Sequence, residues 1–252
     1  MEQIHSKKVF FLYPHSSFNE HLLDIIIQGE FEAAIINDHN AVINILRKFP
    51  NSILFANVEK QLLQSNWLEF LQSIRENSIT RTAKIGIMSY NPDPEIAQEL
   101  MEKIGIDCGF ITLKIGIKKS ATILLKTLAL NEAKGRRKYI RANCPAGKAH
   151  INIRILSGTV QGSLIDISTA GFSATLDTEL KVKQLCDDIQ LNLWGTRMSV
   201  SARMYGTRKT EKGTLQQIFL FEPPLEGFNL QRVHSFVKRA LQSEVDEIAN
   251  QR

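Results

Sequence analysis

The first half of the chain carries two hydrophobic patterns in alternation. Short, nearly unbroken apolar runs recur at Val9-Phe10-Phe11-Leu12, Ala33-Ala34-Ile35-Ile36, Ile53-Leu54-Phe55 and around Ile85, Ile87 and Met88. Runs of this length suit strands buried on both faces of a parallel sheet. They predict strands over 7–13, 31–37, 52–58, 83–89 and 109–115. Between them, apolar residues spaced three and four apart predict helices over 18–28 (Leu22, Leu23, Ile26, Ile27), 40–48 and 66–76 (Trp67, Phe70, Leu71, Ile74). Asn91-Pro92-Asp93-Pro94-Glu95 reads as a sharp helix start, with Asp93 as N-cap, Pro94 at the first helical position and Gly105 as terminator. A fifth helix over 118–134 leads directly into a basic cluster. Strand and helix alternating five times predict an α/β unit with a doubly wound, five-stranded parallel sheet over 1–134.

The second half is patterned differently. Ile151, Ile153 and Ile155 alternate with polar residues, predicting a strand over 149–156. Gly158 and Gly162 punctuate the residues after it. Further strands are predicted over 163–167, 172–176, 189–193, 198–205 and 215–222, with 183–188 as a loop. Turns fall at Gly195-Thr196 and Glu211-Lys212-Gly213, and Pro223-Pro224 stops the last strand. Short strands with regular turns predict an all-β unit over 135–252, a small antiparallel barrel whose closure removes exposed edges. A terminal helix over 229–250 carries Leu230, Val233, Phe236, Val237, Ala240, Leu241, Val245 and Ile248 on one stripe. That stripe suits packing on the barrel; a partner-binding or dimerising face is the alternative.

Composition adds little to this, but charge distribution does. With 43% hydrophobic and 23% charged residues, each half can bury its own core. The net charge of +5 is uneven: residues 1–135 balance to −1 and residues 136–252 to +6. An anionic partner therefore belongs with the second half. The three cysteines, Cys108, Cys144 and Cys186, form no CxxC pair and no zinc spacing with histidine, so free buried thiols are expected. No metal or cofactor is expected. The start Met1-Glu2-Gln3-Ile4-His5 has no signal-peptide form, and no apolar stretch reaches membrane-spanning length, so a cytoplasmic protein is expected.

Candidate chemistry concentrates in residues 136–171. A basic cluster, Arg136-Arg137-Lys138-Tyr139-Ile140-Arg141, stands before the barrel strands, and Asp166-Ile167-Ser168-Thr169-Ala170-Gly171 lies within them. Each guanidinium presents a planar fork of donors suited to phosphate oxygens or the O6/N7 edge of guanine. The same planes stack on purines. Asp166 and Ser168 alternate, so on a strand they share a face, and Asp166 can accept from a guanine N1/N2 edge. Gly171 allows positive φ or a close backbone approach. Taken singly, the basic run also reads as a solvated linker and the second run as a turn.

Together and in this order, Arg137-x-x-x-Arg141 and Asp166-x-Ser168-x-x-Gly171 resemble the two halves of the PilZ domain signature, over residues 135–224. PilZ domains are bacterial β-barrel modules, many of which bind cyclic di-GMP. The resemblance implies that Arg137 and Arg141 clasp phosphate and guanine while Asp166, Ser168 and Gly171 hold the other side. It also implies that Arg136, as a basic residue before the first motif arginine, accompanies a stacked, intercalated ligand dimer.

The order and size of the first half resemble a response-regulator receiver domain. A phosphoryl-accepting receiver needs acidic residues after the first strand and an aspartate ending the third. Here those positions fall on Tyr13-Pro14-His15 and on Phe55-Ala56-Asn57-Val58. Ser89 and Lys114 match the family's hydroxyl and lysine positions. Without the carboxylates the unit lacks a metal site and a phosphoryl acceptor. Tyr13-Pro14-His15-Ser16-Ser17 has no glycine, which excludes a phosphate-binding loop, and no Gly-x-Ser-x-Gly elbow supports a hydrolase built on His15, Ser16 and Asp38.

The function expected is that of a non-enzymatic cyclic di-GMP receptor, with no catalytic residues, acting on a downstream protein partner or as a homodimer. The alternative is a ligand-independent adaptor that uses both units only for protein contacts. A nucleic-acid regulator finds no helix-turn-helix in the basic half.

Overall fold

The computed structural model describes residues 6–15, 21–59, 64–90, 93–156, 158–210 and 213–251. The chain divides into two compact units, residues 1–138 with 242–252 and residues 139–241. Among the described residues, the first unit holds β1 (Val9–Leu12), α1 (Leu23–Gln28), β2 (Ala33–Ile36), α2 (His39–Lys48), β3 (Ile53–Asn57), α3 (Gln64–Glu76), β4 (Lys84–Ser89), α4 (Pro94–Ile104), β5 (Phe110–Thr112) and α5 (Ile117–Leu130).

The five strands form one parallel sheet in the order β2-β1-β3-β4-β5. Alternate residues point to opposite faces. Phe10, Leu12, Leu54, Ala56, Ile85 and Ile87 pack with Val42, Ile45 and Leu46 of α2, Trp67, Leu71 and Ile74 of α3, and Leu100 and Ile104 of α4. Val9, Phe11, Ile53 and Phe55 alternate to the other face, where α1 and α5 bury Ile26, Ile27, Leu124 and Leu128. The doubly wound architecture expected from the apolar runs is therefore observed.

Local chemistry fixes the ends. Asp93 accepts from the Glu95 amide at 2.9 Å with Pro94 in the first turn, and Gly105 closes α4 at φ 67°. Asn91 and Pro92, expected to open this turn, lie outside the described residues. So do residues 18–20 of the first expected helix. The fifth helix stops earlier than expected, at Leu130. Its cap Asn131 is followed by Glu132 at φ 54°, so residues 131–141 leave the helix and run without regular structure into the barrel.

The second unit holds β6 (Ala142–Asn143), β7 (Ala149–Ile155), β8 (Gly158–Ser168), β9 (Gly171–Leu176), β10 (Leu185–Leu193), β11 (Thr196–Lys209), β12 (Leu215–Phe221) and most of α6 (Gly227–Ala249). Strand order β8-β7-β10-β11-β12-β9, closed by a β8–β9 pairing, makes a six-stranded antiparallel barrel among the described residues, with β6 added along β8. Ile151, Ile153, Val160, Leu164, Phe172, Ile189, Leu191, Val200, Met204 and Phe219 are buried in it.

Three strands are longer than the pattern predicts: β8 starts at Gly158 and runs through Gly162, which were expected to punctuate the chain before a strand beginning at Ser163. Residues 185–188, expected as a loop, begin β10, where a register shift between Cys186 and Ile189 breaks the alternation. β11 runs on to Lys209 through Gly206-Thr207-Arg208, a polar end with no apolar beat to announce it. The expected turn at Glu211-Lys212 lies outside the described residues. On α6, Val233, Phe236, Val237, Ala240 and Leu241 are buried and belong to the barrel unit, where Trp194 meets Phe236 edge-on at 6.0 Å. Arg239 lies over the Trp194 ring at 4.6 Å. From Gln242 onward the helix belongs to the first unit. There Val245 enters the core, and the Gln242 amide pairs with both backbone groups of Ile35 at 2.8 and 2.9 Å, covering the free edge of β2.

Candidate functional site

Asp166 is the centre of the second unit's polar cluster. It sits near the end of β8, two residues past Leu164, where the β8–β9 register shifts. A bulge re-aims the residues at it, and Asp166 lands inside, 4% exposed. A buried carboxylate has to be paired. Its Oδ2 accepts from Ser173 Oγ at 2.7 Å and from Arg208 at 3.1 Å, and its Oδ1 faces Arg141 Nε at 3.4 Å. Arg208 is itself aimed by Gln216, whose side-chain oxygen accepts from Nε at 2.7 Å. Two guanidiniums thus bracket one carboxylate, leaving local positive charge, and both remain partly open to solvent.

Ser168 and Gly171 bound the tight connection from β8 to β9. Ser168 Oγ donates to the Gly171 carbonyl at 3.1 Å and accepts from the Ala170 amide at 3.3 Å. Gly171 is needed for close approach, not for positive φ. A Cβ there would stand 2.1 Å from the Phe219 carbonyl oxygen. Of the six residues expected at the site, the barrel brings together Arg141 and Asp166, with Ser168 and Gly171 shaping the turn behind them. Arg136 and Arg137 are exposed, in the irregular segment after α5.

Ser173, Arg208 and Gln216 join the cluster without having been expected from the sequence. Ser173 follows Gly171 at a spacing of two and was legible as the next residue on the same face of the strand. Arg208 comes from 42 residues further on, and only barrel closure brings it to Asp166. Cys144, whose amide donates to the Ile165 carbonyl at 2.8 Å, lies close by. Burial, with the Asp166 charge adding to it, pushes its thiol up to about 12. This is an inert thiol, not a nucleophile.

In the first unit, the carboxyl ends of the strands carry hydrogen bonds where a phosphoryl-accepting receiver has carboxylates. Asn57, buried at the end of β3, donates to the Tyr13 carbonyl at 2.9 Å. Glu59 accepts from Ser89 Oγ at 2.7 Å and from the Tyr90 amide at 2.9 Å. Tyr13 bonds His39 Nδ1 at 2.8 Å, and the His15 and Tyr90 rings stack at 5.7 Å. Glu59 is a carboxylate not among the residues expected here; it lies one residue beyond the expected strand end at Val58 and two beyond the observed end at Asn57. Lys114 lies not in β5 but in the exposed turn after it. Among the described residues there is no group of three His, Cys, Asp or Glu suited to a metal ion, and no helix long and apolar enough to cross a membrane.

No protein-family model matches this sequence, and no curated protein matches it. Solved structures of two kinds do. The PilZ domain with c-di-GMP of YcgR from Escherichia coli is 20% identical, covers 46% of this chain and 99% of that one, and gives a TM-score of 0.38. A structure of YcgR in complex with c-di-GMP from Escherichia coli, 22% identical at a TM-score of 0.40, covers 46% of this chain and 50% of that one, so this chain spans half of that chain's length. The chemotaxis response regulator CheY4 of Vibrio cholerae is 16% identical, covers 49% of this chain and 99% of that one, and gives 0.41. All three identities lie under 25% and all three TM-scores under 0.5, so these are distant likenesses that say nothing of this chain's role; its α/β unit and its six-stranded barrel stand on the strand pairings described above.

Proposed function

We propose that this chain is a non-enzymatic receptor for cyclic di-GMP, and that the barrel is its ligand-binding unit. The observation that carries the reading is the Arg141–Asp166–Arg208 cluster, two of whose members, Arg141 and Asp166, belong to the Arg137-x-x-x-Arg141 and Asp166-x-Ser168-x-x-Gly171 pair. Asp166 Oδ2 is locked by Ser173 and Arg208, while Oδ1 holds Arg141 only at 3.4 Å. Oδ1 is thus the oxygen that can change partner. On binding, Arg141 turns to a ligand phosphate or guanine edge and Asp166 Oδ1 accepts from guanine N1/N2. Arg137 supplies a second fork, and Arg136 stacks against a second, intercalated ligand. Because Arg136 and Arg137 lie in the segment joining the two units, clasping the ligand orders that segment and resets the units for a downstream protein partner or a second copy.

A second reading has its own support. Ser168 Oγ and Asp166 Oδ2 already have partners within the barrel, which is what a fold-only role requires. In that case the chain is a ligand-independent adaptor.

Calorimetric titration of cyclic di-GMP into the parent, Arg137→Ala and Arg141→Ala separates the two. Charge-assisted hydrogen bonds contribute ~1.5–3 kcal/mol each. Saturable heat in the parent, weakened at least ~10-fold by either substitution, supports the receptor. Absence of heat in the parent moves the assignment to the adaptor. Superimposable solution scattering with and without saturating ligand would remove the reorientation step alone.

A further inference from the structure

The barrel has a concave surface that no residue of the Arg141–Asp166–Arg208 cluster lines. A cavity of about 600 Å³ opens on the wall formed by β7, β10 and β11, beside the start of α6. That volume is within the range of small-ligand sites, ~300–1,000 Å³. Its lining is set by strand register. His150 pairs with Asn192, and Asn192 with Arg197, so the three form a row across three strands. Asn152 and Gln190 pair in the next row on the same face. Arg232 closes the groove from α6, with Nη1 donating to the Arg197 carbonyl at 3.2 Å.

The chemistry of this lining is one-sided. It holds two guanidiniums and no carboxylate. The Asn192 side-chain oxygen is already taken by the Gly195 amide at 3.0 Å, which leaves its NH2 as the group on offer. Asp188, the carboxylate on the neighbouring stretch of β10, faces Arg154 at 3.3 Å. A lining of guanidinium and amide donors suits an anion ringed with acceptor oxygens. Asn152 and Gln190 add groups that can both donate to and accept from hydroxyls or a base edge. We infer that this groove is a binding site for a phosphorylated small molecule of nucleoside-monophosphate size. It shares no residue with the Arg141–Asp166–Arg208 cluster and is independent of the receptor reading.

The test uses the full chain, isotopically labelled, with AMP, ribose 5-phosphate and inorganic phosphate as probes and amide chemical shifts as readout. The expected result is saturable shifts at His150, Asn192 and Arg197 with AMP or ribose 5-phosphate. They persist in Arg141→Ala, and the affinity falls at least ~10-fold in Arg197→Ala and in Arg232→Ala. Should Arg232→Ala loosen α6, Arg197→Ala at the exposed hairpin carries the comparison by itself. No saturable shift, unchanged affinity in Arg197→Ala, or shifts confined to Arg141, Asp166 and Arg208 that vanish in Arg141→Ala would each overturn the inference. A response to inorganic phosphate equal to that of AMP would reduce the site to a phosphate subsite and overturn the nucleotide-sized ligand.

Discussion

Replacing Gly171 with alanine separates a packing role from a ligand role at a motif position. The added Cβ would lie 2.1 Å from the Phe219 carbonyl oxygen and 3.1 Å from the Leu220 Cα, both backbone, so no side-chain rotation relieves it. The β9–β12 ladder has to open where Gly171 pairs with Leu220 and Phe172 with Phe219. Overpacking costs ~1–3 kcal/mol, and a lost ladder hydrogen bond adds ~0.5–1.5. The Phe172–Phe219 ring stack, with centroids at 4.9 Å, is disturbed as well. The expected loss is ~2–4 kcal/mol of barrel stability. The protein has two tryptophans, Trp67 in the first unit and Trp194 in the barrel, so a shared Trp67→Phe background makes fluorescence report the barrel. With a urea dependence of ~1–3 kcal/mol per molar, the midpoint should fall by ~1–2 M. Gly206→Ala is the control. Nothing lies within 4 Å of its Cβ position, and a surface change of this kind stays within ~0.5 kcal/mol. If Gly171→Ala matched the parent midpoint yet lost cyclic di-GMP binding, the packing argument would be refuted and Gly171 would be a ligand contact.

The same geometry gives three further expected outcomes. Asp166→Ala leaves Arg141 and Arg208 without their shared carboxylate; because both guanidiniums are partly hydrated, the loss should be ~1–3 kcal/mol, read as the Trp194 urea midpoint. Cys144, pushed up to about 12 by burial and Asp166, and Cys108, pushed to about 11 chiefly by burial, should resist thiol reagents at pH 8 until urea unfolds the chain. Since their folded pKa values are raised, their contribution to stability is whole below the ordinary thiol range near 9. It is lost as pH rises toward those values, so the alkaline limb of a stability profile should soften in Cys144→Ala. Asp93→Ala removes the α4 cap and should cost the first unit ~1 kcal/mol, measured by hydrogen exchange in α4, with ligand titrations unchanged.

Much of this protein was legible in one dimension because its periodicities are strong. The buried runs at Val9–Leu12 and Ile53–Asn57, and the Asp93-Pro94 start with its Gly105 stop, required no knowledge of neighbours. Neither did the alternation of Ile151, Ile153 and Ile155 that marks a one-sided strand. Arg141, Asp166, Ser168 and Gly171 were likewise visible, because type and spacing carry their chemistry. What periodicity could not reach were places where a bulge or a polar strand end removes the beat, as at Cys186–Ile189 and Thr207–Lys209. Helix length before the motif was another, since Leu130 and Lys134 differ in no local preference that a single sequence displays. The partners of Asp166 were decided only by tertiary structure. Ser173 reaches it through a hairpin, and Arg208 through closure of a barrel across 42 residues. Sequence by itself determined that Asp166 offers an acceptor at a motif position; that it is buried, and so needs side-chain partners, came with the fold. Three-dimensional closure decided which ones met it, because proximity between distant strands is a property of register and not of composition.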